Sequence, residues 1–151
     1  MKERFCAIAI GILFLLLGVA GFIPGFNVLP VGAEPNIPLD APSINMDAGY
    51  GYVFGLFPTN LLHNAVHIAV GILGIAAASS FSGARVFNQG FAIAYSAIAL
   101  MGLFPFTNTV FGLMPIYGHN IWLNTLTAAA AGYYSFFKPT ETTMINASPS
   151  T

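Results

Sequence analysis

Val53-Phe54-Gly55-Leu56-Phe57-Pro58 and Val110-Phe111-Gly112-Leu113-Met114-Pro115 are one motif written twice, identical at five of six positions. Each copy is soon followed by a His-Asn pair, His63-Asn64 and His119-Asn120, and each pair opens a long apolar run. Upstream, Gly21-Phe22-Ile23-Pro24 and Gly102-Leu103-Phe104-Pro105 also correspond, each closing an apolar run. Self-similarity of this kind marks a duplicated structural unit. The chain therefore reads as two hairpins of the same plan: apolar run, Pro-ended loop, Phe-Gly-Leu-x-Pro, His-Asn, apolar run. Duplication sets the least common polar residues of the chain at matching places in two copies.

Composition says what the apolar runs are. The chain is 56% hydrophobic and 6% charged, where a soluble domain carries about 25% charged residues. So little charge cannot cover a water-facing surface, and lipid is the natural solvent. A helical span needs about 20 apolar residues. Four stretches qualify, at about 5–23, 61–79, 86–104 and 121–137, and none contains Asp, Glu, Lys or Arg. Continuous rather than alternating apolarity excludes a β-barrel, and backbone polar groups in lipid must be paired internally, which makes the spans helices. The expected fold is an all-α integral membrane protein, a four-helix transmembrane bundle built from two duplicated helix-hairpins, in a single domain over 1–137. Small residues at helical spacing support tight packing: Ala7, Gly11 and Gly18; Gly71, Gly74 and Ala78; Ala92 and Ser96; Ala128 and Gly132.

Charge sets the orientation. The basic residues are Lys2, Arg4, Arg85 and Lys138, and four spans put all of them on one side, with Glu34, Asp40 and Asp47 opposite. The positive-inside rule then places both termini in the cytoplasm. Lys2-Glu3-Arg4, an apolar stretch and Val31-Gly32-Ala33 also resemble a secretory signal. The stretch is long for a signal core, and its matching Gly-x-x-Pro ending makes it the counterpart of the third span, so we read it as a span.

The first external connection carries an insertion of about 24 residues relative to the second. It covers about 25–52, and its Pro-rich middle, 26–49, reads as extended or irregular. Its scattered apolar residues favour packing on the top of the bundle or on a partner. Residues 50–57 and 106–117 read as short interfacial elements leading into Pro-delimited helix starts. The tail 138–151 reads as a disordered cytoplasmic segment. On that side, the glycosylation pattern Asn146-Ala147-Ser148 is silent. Cys6 is a small buried apolar residue or, as the alternative, a palmitoylation site.

Asn60, His63, Asn64 and His67 recur at i, i+3, i+4 and i+7, one face of one helix. His119, Asn120, Asn124 and Thr127 follow similar spacing in the last span. Ionisable residues inside spans face the bundle interior and raise a functional question. The plainer answer is a polar interhelix network of Asn60, His63, Asn64, His67, Asn120 and Asn124, with Asn60 and His63 also able to cap a helix start. The sharper one makes His63, His67 and His119 cofactor-binding residues. A tetrapyrrole, haem or chlorophyll-type, needs one axial imidazole and an apolar pocket. A metal ion fits the i, i+4 spacing of His63 and His67 but lacks a full ligand set, with only His119, Asp40 and Asp47 to complete it, so no metal residues are assigned. A quinone or lipid headgroup is the remaining ligand class. No span holds a carboxylate, and no catalytic triad, phosphate loop or zincin pattern is present. The net charge of −1 implies no nucleic-acid partner.

The run Gly55-Leu56-Phe57-Pro58-Thr59-Asn60-Leu61-Leu62-His63-Asn64-Ala65-Val66-His67 resembles the signature of a group of small bacterial four-span membrane proteins known as domain of unknown function 4383. The resemblance covers about residues 5–137. It implies a four-helix membrane fold and no established activity, substrate or cofactor. In that family the last span often begins Asn-x-x-His, whereas Asn120-Ile121-Trp122-Leu123-Asn124 lacks that histidine.

The functional expectation is a non-enzymatic membrane protein, an accessory or assembly and stabilising subunit of a larger membrane complex. Its partners are the lipid bilayer and other membrane subunits or a second copy. Its location is a bacterial inner membrane, or a thylakoid in a phototroph. The alternative is a cofactor-binding membrane subunit in which His63 or His67 ligates a tetrapyrrole or a metal ion.

Overall fold

A computed structural model of the chain describes residues 1–29 and 49–137. Most of the expected insertion and the tail 138–151 lie outside the described residues, as do Glu34, Asp40, Asp47 and Lys138. Four α-helices dominate: α1 (Lys2–Ala20), α2 (Leu61–Ala77), α3 (Phe81–Gly102) and α4 (His119–Gly132), the last continuing as a π-helical turn, Tyr133–Phe137. They match the four apolar runs to within a few residues at each end. Among the described residues only α1 is both long and apolar enough to cross a membrane by length and composition, and α2 is apolar but shorter. The polar start of α3 (Arg85, Asn88, Gln89) and the Asn and Thr residues of α4 dilute the other two.

Helix α1 packs chiefly on α2, and α3 on α4, so the two hairpins expected from the repeat are present. Glycines set how closely α1 and α2 approach. A Cβ on Gly11 would stand 2.8 Å from the Gly71 carbonyl oxygen, and one on Gly71 would stand 2.6 Å from the Leu15 nitrogen. No side chain fits at that separation, so the backbones meet directly. In the second hairpin Gly132 faces Ala92. Between the hairpins lies a core of Cys6, Ile10, Phe14, Phe91, Ala92, Tyr95, Ala128 and Ala131. Phe14 stands edge-on to Phe91, Tyr95 and His67 at its centre. Cys6 is buried and free, a small apolar packing residue.

Side chains close both ends of α2 and the start of α3. Asn60 caps α2, its side-chain oxygen accepting from the His63 backbone N–H at 2.9 Å, and Ser80 caps α3 by accepting from Gly83 at 3.0 Å. At the other end of α2 the Arg4 guanidinium donates to the Ala78 carbonyl at 2.7 Å. Lys2, Glu3, Arg4 and Arg85, the described charged residues, all belong to the starts of α1 and α3, the end of the bundle that holds the short α2–α3 turn.

At the opposite end, the short elements expected before each helix start take two different forms. The first connection forms a small three-stranded antiparallel sheet of β1 (Asn27–Val28), β2 (Gly51–Val53) and β3 (Phe57–Thr59), in that order. Val53 pairs with Phe57 across the turn and Asn27 with Val53. Pro58 is tolerated because β3 is an edge strand. The second copy makes a run of turns in place of a hairpin. The copies share a left-handed pair: Phe54 and Gly55, like Phe111 and Gly112, have φ of 54°, 69°, 56° and 89°, and in the second copy Val110 is left-handed too, at 48°, where Val53 lies in β2. The repeated motif thus encodes a left-handed turn that delivers the chain to a helix start.

Candidate functional site

The buried polar residues gather at the turn-bearing end of the bundle, between the starts of α2 and α4. Thr59, Asn60, His63, Asn64, His67, Asn120 and Asn124 are all buried there. Helix periodicity places the α2 set on one face. In α4, Asn120 and Asn124 share the inward face, while Thr127 donates to the Leu123 carbonyl of its own helix.

The asparagines link the two copies reciprocally. Asn60 of the first copy donates from Nδ2 to the Leu113 carbonyl of the second motif at 2.8 Å. Asn120 of the second copy donates to the Pro58 carbonyl of the first motif at 2.7 Å, and to the nearer Pro115 carbonyl at 3.2 Å. Asn64 accepts from the Thr59 hydroxyl at 2.5 Å. The network therefore ties each helix start to the opposite turn's backbone rather than α2 to α4 side chain to side chain. Nearer the surface, the Tyr50 and Tyr117 hydroxyls lie 2.6 Å apart and Tyr50 donates to Tyr52 at 3.2 Å, a second tie between the two connections. Burial and these hydrogen bonds push the Tyr50 phenol far above its ordinary value, and burial pushes Tyr117 up to about 12.

The two α2 histidines meet. His63 Nε2 and His67 Nε2 are 3.0 Å apart, and the rings stand edge to face with centroids 4.3 Å apart. Phe14 covers His67 from the side of α1. His119 does not join them. It is exposed at the first position of α4, with its ring edge toward Phe57 at 6.3 Å. Motif and helix start are offset differently in the two copies. Asn60 caps α2 three residues before His63, whereas Gly118 caps α4 immediately before His119. Equivalent places in the sequence thus fall on different helix faces.

Room beside the histidines is small. The cavity lined by Leu17, Val53, Phe57, Pro58, Thr59, His63, His67 and Asn120 has a volume of about 10 Å³. That is about the minimum for one water molecule and far below the space a flat macrocycle needs. Among the described residues no group of three or more His, Cys, Asp or Glu side chains is placed to hold a metal ion. Each histidine nitrogen facing its neighbour is occupied by the other ring. The arrangement can cross-brace a bundle. A carboxylate to activate a nucleophile or move a proton is not among the residues lining the cavity.

Sequence spacing found every member of this cluster except Thr59, whose burial depends on β3. It also could not show that Asn60 and Asn120 reach backbone carbonyls of the opposite copy. A family model described as Domain of unknown function (DUF4383) matches residues 4–137. No curated protein and no solved structure matches the chain.

Proposed function

The chain belongs to that family of unknown function, and from its geometry we propose that it is a non-enzymatic integral membrane protein that packs against and stabilises a larger membrane complex. One observation carries the reading: the polarity of the bundle is inverted. Its asparagines and histidines are inside, with Asn120 only 1% exposed, while Leu16, Ile93, Trp122 and Leu126 are 63–67% exposed along the helix flanks. Monomeric soluble proteins seldom expose contiguous apolar surface on this scale. In a bilayer the same surface faces lipid and the buried polar groups face one another.

In this reading all four helices span, with α4 and its π-helical continuation acting as one 119–137 segment. The charged end faces the cytoplasm with both termini, and the turn-bearing end faces outward, in a bacterial inner membrane. Small size and tight small-residue packing suit an accessory subunit. A one-water cavity beside His63 and His67 supports cross-bracing over ligation of a tetrapyrrole.

The test begins with native membranes. The protein should resist alkaline carbonate extraction, and reporters fused at either end should read cytoplasmic. Purified gently, it should be colourless, free of stoichiometric metal, and accompanied by other membrane chains. A Soret band abolished in His67→Ala would overturn the reading in favour of a cofactor subunit.

A further inference from the structure

Two buried polar atoms at the cavity beside the histidines lack partners among the described residues: Nδ1 of His63 and Oδ1 of Asn120. Both residues are over nine-tenths buried, and both line the same cavity of about 10 Å³. Leaving such atoms unpaired costs about 1–3 kcal/mol each. A polar cavity of this volume admits one water, which commonly makes about three hydrogen bonds to otherwise unpaired groups.

We propose that this cavity is a binding site for a single structural water that bridges His63 on α2 to Asn120 on α4. Asn120 Oδ1 can only accept, so the water donates to it. In the tautomer with hydrogen on Nδ1, His63 donates to the water oxygen. His63 Nε2 is left as the acceptor for the Nε2–H of His67, across the 3.0 Å contact. The result is one directed chain, His67 to His63 to water to Asn120. It completes the cross-brace between hairpins that direct side-chain contacts leave open. The cavity lining supplies no carboxylate or thiolate, so a divalent cation there would lack an anionic ligand. The proposal is independent of whether the chain belongs to a larger complex.

The test is nitrogen-15 magnetic resonance of the full chain, histidine-labelled, in lipid bilayers. Expected are a neutral His63 ring protonated at Nδ1 and transfer of magnetisation from a slowly exchanging water to that proton. A His63 side chain with no water transfer under conditions where exposed His119 shows it would overturn the site. So would His63 and His67 signals that move when a metal chelator is added, since that assigns the cavity to an ion.

Discussion

Gly21 controls the polar cluster from outside it. A Cβ built there would overlap the Asn64 carboxamide, which accepts from Thr59. Gly21→Ala must turn Asn64 away or shift the end of α1, and overpacking of this kind costs about 1–3 kcal/mol. Thermal unfolding in detergent should show the loss. Gly90, exposed on α3, meets nothing within 4 Å, so Gly90→Ala should instead gain about 0.5–1 kcal/mol. Equal effects from the two would mean that Asn64 is not held. The tyrosines give a pH test. The Tyr117 phenol is pushed up to about 12, above the usual value of about 10. A raised folded value gives stability that is complete below the unfolded value and is lost as pH rises through the folded one. The Tyr50–Tyr117 tie should therefore hold at neutral pH and fail only in strong alkali. Ultraviolet titration should show late phenolate formation, one tyrosine's share of which Tyr117→Phe removes. A Tyr117 that ionises near the ordinary phenol value of about 10 would rule out the buried pair.

At the level of elements, the repeated motif uses a strained turn. Phe111 is left-handed and exposed, and an L-residue there costs about 1–2 kcal/mol over glycine. Phe111→Gly should therefore raise stability in detergent by about 1 kcal/mol, and a fall would show that the ring makes contacts worth more than the strain. Helices were legible because their signals are local. Apolar runs, small-residue spacing and the Asn60 cap each fall within a few turns of one segment. Strands β1–β3 were not, since Asn27 pairs with Val53 across an insertion and Pro58 speaks against a strand until its edge position is known. Motif spacing groups His119 with His63 and His67 only if it carries over to the helix. The caps at Asn60 and Gly118 break that equivalence. His63 and His67 were found together because i, i+4 fixes their relation whatever the rest of the chain does.

For the whole molecule, polarity decides the environment, and one substitution separates the alternatives. Leu126 lies mid-way along the 119–137 segment and is 66% exposed. In water, replacing an exposed leucine changes stability by roughly 0.5 kcal/mol or less. At the centre of a lipid-facing helix, arginine costs about 2.5–3.5 kcal/mol. Leu126→Arg should therefore strongly reduce insertion and folded yield in membranes, while Leu126→Phe leaves both unchanged. Ile93→Arg on the exposed flank of α3 should behave the same way, because it is exposed to the same degree on the neighbouring helix. The pair also separates lipid from protein cover. If a partner helix lies over one of these flanks, Leu126→Phe or Ile93→Phe would loosen the complex without harming insertion of the chain. If both arginine variants fold as well as the natural protein, the exposed flanks face water and the bundle is not a membrane protein.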